Sequence, residues 1–119
     1  MKDSKQQTNQ ALTPIAFEIL LSLSRGPRHG YGIKLDIEQR TAGEVSLGSG
    51  TLYQAIQRLE RCGLISEATV REKARDARRG RSYQLEPAGR ALLDGELRRL
   101  SRVVDYARSN SLLPQPDAP

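Results

Sequence analysis

The strongest constraint on the fold is a helical pattern that lies between two glycine-containing segments. Gly48-Ser49-Gly50 opens this segment and Gly63 follows its end. The apolar residues spaced four and three apart are Leu52, Ile56 and Leu59. A second set with similar spacing is polar or cationic, and consists of Thr51, Gln54, Arg58 and Arg61. The spacing predicts a helix with an apolar packing face and a second face that reaches outward.

One helix is predicted at the start of the ordered chain. Thr13 is suited to cap it, Pro14 suits the first helical position, and Arg25-Gly26-Pro27 ends the segment. The apolar residues on one face are Ile15, Ile19, Leu20 and Leu23. This face is expected to pack in the core.

The next segment, from His29 to Ala42, fits two patterns. Its apolar residues alternate with polar ones, which is the period of a strand. The helix formers Glu38-Gln39-Arg40, followed by Gly43, favour a helix instead. A helix is therefore the prediction.

Two short strands are predicted to flank a strongly basic stretch. Leu64 to Val70 and Ser82 to Glu86 have strand patterns. The chain has 19 basic against 14 acidic residues, a net charge of +5, and six of the basic residues with two acidic ones lie between positions 71 and 81. The six are Arg71, Lys73, Arg75, Arg78, Arg79 and Arg81. A β-hairpin with a charged tip is predicted, and the charge favours a polyanionic partner such as nucleic acid or an acidic membrane surface.

From Pro87 onward the pattern predicts one long helix. The apolar residues repeating at four, three, four and three are Leu93, Leu97, Leu100, Val104 and Ala107. A small domain cannot cover a seam of this length, and aromatics make up only 4% of the chain, so a second copy is expected to complete the core. A membrane-surface helix is disfavoured, because acidic and basic residues are mixed on the opposite face.

The element order predicts an α+β, mainly α fold: a winged helix-turn-helix of three helices and a β-hairpin wing, with a long C-terminal dimerisation helix. The expected units are a disordered arm over 1–12, the winged helix over 13–86, the dimerisation helix over 87–110 and a disordered tail over 111–119. With no bilayer-spanning run, no signal-peptide core and one cysteine, Cys62, we expect a cytoplasmic protein with no membrane partner.

The run from Gly50 to Ile65 resembles the signature of the PadR family of transcriptional regulators, and reads GTLYQAIQRLERCGLI. Residues 29–33 resemble the opening of that family's second helix, and residues 81–90 its last wing strand and the start of its C-terminal helix. The resemblance covers about residues 12–105. It implies a dimeric DNA-binding repressor whose long last helix packs against the helices of the partner, including its first. With only one terminal helix, the chain resembles the compact, short C-terminal branch of the family.

Two positions depart from the family pattern. Glu86 stands where the family usually has a threonine that can cap the last helix, so this helix is expected to start differently or to fray. Ser82 stands at a position that is commonly aromatic. A less rigid base of the wing is expected.

The resemblance and the helix pattern together predict the DNA contacts. The recognition-helix candidates are Ser49, Thr51, Tyr53, Gln54, Arg58 and Arg61. The wing candidates, on the DNA backbone or in the minor groove, are Lys73, Arg75, Arg78, Arg79 and Arg81. Ser49, Thr51 and Gln54 are expected near bases, and Arg58 nearer phosphate. Tyr53 can pack against the neighbouring helix, bind a phosphate, or do both.

Other functions find less support. No nucleophile and base are paired, and Gly48-Ser49-Gly50 lacks the Lys-Ser/Thr ending of a phosphate-binding loop, so an enzyme is disfavoured. His29 is the single histidine, and a structural role near the second helix is expected for it, with no metal and no cofactor. Cys62 is expected to be a small buried packing residue.

The resemblance also implies a small-molecule effector of unknown identity, often aromatic or hydrophobic, near the dimer interface. The chain has no tryptophan to stack on a planar ligand, which argues against a multidrug-type pocket. The alternative function is a winged-helix protein-interaction module without DNA binding.

Overall fold

Four helices and a small antiparallel sheet make up the computed structural model, which describes residues 12–68 and 80–116. The elements are α1 (Pro14–Leu23), β1 (Arg28–His29), α2 (Gly30–Arg40), α3 (Ser49–Arg61), β2 (Ile65–Glu67), β3 (Ser82–Leu85) and α4 (Pro87–Ser109). The predicted mainly helical winged-helix fold is confirmed. The predicted arm over 1–12 lies outside the described residues except for Leu12, which packs against the core.

Helix α1 begins as the sequence predicts. The Thr13 side chain accepts a hydrogen bond from the backbone N–H of Ala16 at 3.1 Å, and Pro14 lies in the first turn. The capping oxygen satisfies one of the N–H groups that a helix start leaves free. This fixes the first residues of α1 over the core.

The core lies where the first three helices meet the sheet and the start of α4. Its largest fully buried apolar side chains are Ile19, Leu20, Leu23, Ile33, Ile37, Leu52, Ile56, Ile65 and Leu93. The apolar face predicted for α3 is confirmed, since Leu52, Ile56 and Leu59 are all buried. Each such side chain stabilises the fold by roughly 1.5–3 kcal/mol.

The segment with two patterns is a helix, as predicted. In α2 only Ile33 and Ile37, four residues apart, reach the core, whereas Tyr31 and Leu35 are 63% and 40% exposed. The strand-like alternation therefore comes from apolar residues on the outer side of the helix. The two residues before α2, Arg28 and His29, form a short strand that the sequence pattern did not predict.

The sheet has the order β1-β3-β2, with β3 in the centre. The predicted hairpin is the β2–β3 pair, in which Ile65 lies opposite Leu85. On the other side of β3, His29 lies opposite Ser82. Strand β1 is thus a third strand at the base of the wing, paired with β3 on the side away from β2.

Helix α4 starts in direct contact with the chain that follows α3. The Glu86 carboxylate does not cap α4 but accepts a hydrogen bond from Ser66 Oγ in β2. The first turn is nevertheless closed by the Arg90 N–H to the Glu86 carbonyl at 2.9 Å, so the expected fraying is not found. A Cβ atom at Gly89 would lie 2.1 Å from the Leu64 carbonyl oxygen. Only glycine allows this approach.

After α4 the chain folds back on the last helical turn. The Leu112 N–H donates to the Ala107 carbonyl at 2.8 Å, and Arg108 Nε donates to the Pro114 carbonyl at 3.1 Å. Residues 111–116 of the predicted disordered tail therefore have a defined course. In the two described ranges, every helix falls short of the combined length and apolar character that a membrane crossing requires.

Candidate nucleic-acid interface

Helix α3 has one buried and one exposed face. The exposed residues of the predicted recognition face are Ser49, Thr51, Tyr53, Gln54, Arg58 and Arg61. Gly48 at the N-cap gives no side-chain acceptor, so the first N–H groups of α3 are available to an anion. The helix thus offers donors at its start and cationic side chains at its end, on a scaffold that its apolar face fixes.

The cations of α3 differ from those behind it. Within residues 12–68 and 80–116, neither Arg58 nor Arg61 has a carboxylate within ion-pair distance. Arg40 of α2, in contrast, donates to Glu18 at 2.7 Å and to Asp36 at 2.9 Å. The two α3 guanidinium groups lie in the last turn, where the helix dipole favours positive charge. Among the described residues, no carboxylate competes with a phosphate for these two side chains.

The ion pairs behind α3 join α1 to α2. Burial alone would raise the pKa of the Asp36 carboxyl, but hydrogen bonding and charge from Arg40, together with the charge of Arg28, lower that pKa below its usual value. Arg28 is also held by a hydrogen bond from its Nε to the Ser22 carbonyl at 3.0 Å. These cations are engaged within the protein and belong to the scaffold of the interface.

Tyr53 packs against the start of α2. A Cβ atom at Gly30 would lie 2.7 Å from the Tyr53 hydroxyl and 3.0 Å from its ring carbon Cζ. The Tyr53 side chain is still 40% exposed. Packing against the neighbouring helix, one of the two roles predicted for Tyr53, is therefore found. Its phosphate contact remains a prediction.

Tyr83 connects the sheet to α3 from behind. It is 3% exposed in β3. Burial raises the pKa of its hydroxyl, and the nearby Glu60 carboxylate and Tyr53 raise it further. The hydroxyl is therefore neutral across the physiological range, and it supports α3 without adding charge to the interface.

The wing is described only at its two ends. Lys73, Arg75, Arg78 and Arg79 lie outside the described residues. Arg81 is described, and its side chain is 69% exposed, 3.9 Å from the Glu67 carboxylate. So loose and exposed a pair contributes little stability and leaves Arg81 accessible to a phosphate.

The base of the wing is held by His29. Its backbone pairs with Ser82, and its ring Nδ1 lies 3.1 Å from the Gly80 carbonyl oxygen. Ser82 is buried, at 6% exposure, beneath this pairing. The structural role predicted for His29 near the second helix is found. Its partner in the wing was not predicted, because residues 29 and 80 are brought together only by β1, which the sequence pattern missed.

The apolar stripe of α4 divides into two parts. Leu93 is 1% exposed and belongs to the core of its own domain, which corrects its place in the predicted seam. Leu97 is 39% exposed, and Leu100, Val104 and Ala107 are half-buried. Val103 and Tyr106, which lie outside the predicted seam, are 50% and 69% exposed. At about 100° per residue, Val103 adjoins the stripe beside Leu100 and Ala107, whereas Tyr106 lies nearer the opposite side of the helix. The place of Val103 on the helical wheel was an available signal.

Cys62 is exposed, so the prediction that it is a buried packing residue is wrong. It follows the last turn of α3 as C-cap, where the apolar face of the helix has already ended. Across 12–68 and 80–116, no group of three or more His, Cys, Asp or Glu side chains is placed to hold a metal ion.

Comparison with known families gives one match over most of the chain. The model of the transcriptional regulator PadR-like family matches residues 19–95. An uncharacterized 37.1 kDa protein in transposon TN4556 of Streptomyces fradiae is 40% identical over 85 residues, or 71% of this chain. The chain spans only 22% of the length of that relative.

Solved structures have the same fold. A PadR family transcription regulator from Clostridium difficile has a TM-score of 0.65 and 24% identity, covering 82% of this chain and 97% of that one. A transcriptional regulator from Clostridium thermocellum has a TM-score of 0.62 and 24% identity, covering 80% and 87%. Bacillus subtilis PadR, solved in complex with operator DNA, has a TM-score of 0.59 and 18% identity, covering 90% and 52%.

Proposed function

The chain belongs to the transcriptional regulator PadR-like family, and from that premise we propose that it is a homodimeric repressor that binds a dyad-symmetric DNA operator. The observation that carries the proposal is the division of α3 into a fully buried apolar face and an exposed face with two arginines, Arg58 and Arg61, which form no ion pair with a carboxylate of the described residues. A helix of this kind fits the DNA major groove, where polar side chains meet base edges and cations meet phosphate.

The contacts divide along the length of α3. Ser49, Thr51 and Gln54, near its start, read bases, while Arg58 and Arg61, near its end, neutralise phosphate. The Tyr53 hydroxyl donates a hydrogen bond to a phosphate, while the Tyr53 ring remains packed against Gly30. In the wing, Arg81 and the four basic residues before it follow the adjacent backbone or minor groove.

The units have separate roles in this proposal. Residues 13–86 bind DNA, residues 87–110 pair two copies, and the segments 1–12 and 111–119 lie outside both roles. The exposed part of the α4 stripe supports pairing, because a seam that its own domain leaves open is covered by a second copy. A family-type effector would enter at this pairing interface.

The proposal is tested by selecting duplexes from a random DNA pool with the purified chain. The expected product is a dyad-symmetric site whose half-sites are separated by about one helical turn, roughly 34–36 Å. Affinity for the selected duplex should fall steeply with added salt, by a slope of about 0.9 per phosphate contacted. Intact dimers that bind no duplex even at low salt would favour the alternative, a winged-helix protein-interaction module.

A further inference from the structure

Two adjacent residues, His29 and Gly30, contact the two parts of the proposed DNA interface. His29 contacts the wing side through the Gly80 carbonyl, and Gly30 contacts α3 through the Tyr53 ring. The two contacts lie at the junction of β1 and α2, where the chain passes from one element to the next without a loop. The wing base and the recognition helix are therefore held from one point of the chain.

The His29 ring has a defined direction of hydrogen bonding. The Gly80 carbonyl oxygen can only accept, so a hydrogen bond across the 3.1 Å between it and His29 Nδ1 requires the proton on Nδ1. The ring makes no capping hydrogen bond to α2, although His29 is the N-cap residue of that helix. On the part of the chain that the structure describes, its hydrogen-bonding role is thus the link across 51 residues to the wing.

Gly80 directly precedes the described cation of the wing. Arg81 follows it, directly before β3, with its guanidinium exposed. The backbone at 80 and the backbone pair His29–Ser82 hold Arg81 between them. The position of Arg81 relative to α3 therefore depends on where His29 holds Gly80.

We propose that His29 is a positioning residue for DNA binding: by donating a hydrogen bond from Nδ1 to the Gly80 carbonyl, it holds Arg81 at a fixed distance from the recognition helix. The contact between Tyr53 and Gly30 holds that helix at the same junction of β1 and α2. The inference rests on the proposed DNA-binding function. It assigns His29 no contact with DNA, and its effect passes through Arg81.

The link can be measured without DNA. His29 is the single histidine of the chain, so its ring nitrogens give an unambiguous nitrogen–proton correlation spectrum. The expected result for the neutral ring is the tautomer with the proton on Nδ1. A neutral ring that carries its proton on Nε2 instead of Nδ1 would overturn the inference.

The effect on binding is measured with two variants and two probes. The probes are the duplex that the wild-type chain selects from a random pool and a random-sequence duplex of equal length. His29→Ala should weaken binding of the selected duplex about five- to fiftyfold, since each copy in the dimer loses one hydrogen bond. His29→Asn, whose amide nitrogen can replace Nδ1 as donor, should restore affinity to within about threefold of wild type.

Salt dependence distinguishes positioning from loss of fold. His29→Ala should lower the slope of log affinity against log salt by about one to two, as Arg81→Ala does, because phosphate contacts are lost in both. The double variant should bind no more weakly than Arg81→Ala alone. An unchanged slope, additive losses, or failure of His29→Asn to rescue would each overturn the inference. A wild-type chain that selects no duplex from the pool and does not bind the random-sequence duplex would overturn the proposed function and this inference together.

Discussion

Helices α3 and α4 are both amphipathic, but they bury their apolar faces to different extents. Every predicted apolar residue of α3 reaches the core, so its exposed face is polar and cationic apart from the partly exposed Tyr53. Helix α4 buries Gly89 and Leu93 in its own domain and leaves apolar side chains exposed beyond them. The difference fits the two partners proposed above: a polyanion on the face of α3 and an apolar surface on the stripe of α4.

The largest expected effect is on the α4 stripe. Leu97→Asp would place a charge in each half of the proposed interface, and should weaken dimerisation at least about 100-fold. Because Leu97 lies outside the core of its own domain, the monomer should keep its circular dichroism spectrum. Analytical ultracentrifugation over a concentration series gives the dimer dissociation constant.

Arg102→Asp is the matched control for that change. Arg102 is exposed and lies nine residues, or about two and a half turns, after Leu93, on the face opposite the stripe. It should leave the dissociation constant within about threefold of wild type. If both variants dimerise equally well, the comparison of the two helices gives no support to a second copy on α4.

The second effect is on the exposed face of α3. Arg58→Glu should weaken binding of the selected duplex by about 30-fold or more, because each copy exchanges an attraction to phosphate for a repulsion. Fluorescence anisotropy at two salt concentrations measures it. Arg102→Glu makes the same change of charge on α4, and equal losses in both variants would show that net charge, rather than the face of α3, governs binding.

A smaller effect is expected where α2 and α3 meet. Gly30→Ala should cost about 1–2 kcal/mol of unfolding free energy, since its methyl group would meet the Tyr53 hydroxyl. Tyr53→Phe in the same chain should recover only part of this loss, because the ring carbon Cζ remains close. Urea unfolding of the single and double variants measures both. Losses that simply add would contradict the contact.

The smallest expected effect concerns two ion pairs: Asp36 with Arg40 behind the recognition helix, and Glu96 with Arg99 on α4. The pKa values of Asp36 and Glu96 are both lowered, Glu96 chiefly by its hydrogen bond from Arg99. A lowered folded-state pKa adds stability that is present above the usual value, 3.8 for Asp36, and is lost as pH falls through the folded pKa. Asp36→Asn should therefore cost about 0.5–1 kcal/mol at pH 7 and flatten the loss of stability between about pH 5 and pH 2.

Glu96→Gln should change neither quantity measurably, because its pair with Arg99 lies on the surface and is screened by solvent. Urea unfolding over the pH series checks both variants. If Glu96→Gln and Asp36→Asn change the unfolding free energy and its pH dependence equally, the ion pairs of Asp36 do not stabilise the winged helix more than a surface pair does.

Periodicity predicted the parts of the fold that local pattern determines. The ends of α1 and α3 follow from Thr13, Pro14, Gly48 and Gly63, and the core face of α3 from its spacing. Strand β1 has only two residues, too few for a periodic signal, so neither it nor the contact between His29 and Gly80 was predictable. Whether Leu93 lies in the core or in the predicted seam depends on how much of α4 packs against its own domain, and the spacing of apolar residues along one helix does not determine this.

The close approach of Gly89 to the Leu64 carbonyl has a mechanical consequence. It packs the first turn of α4 directly against the Leu64 backbone that precedes β2, with no room for a methyl group between them. The 23 residues of α4 then form a lever arm about 34 Å long. In the proposed dimer, a change of about 10° in the crossing angle of two such arms would change the distance between their ends by about 6 Å, comparable with the rise of two base pairs. In that dimer, the spacing of the operator half-sites would thus correspond to an angle between the two arms.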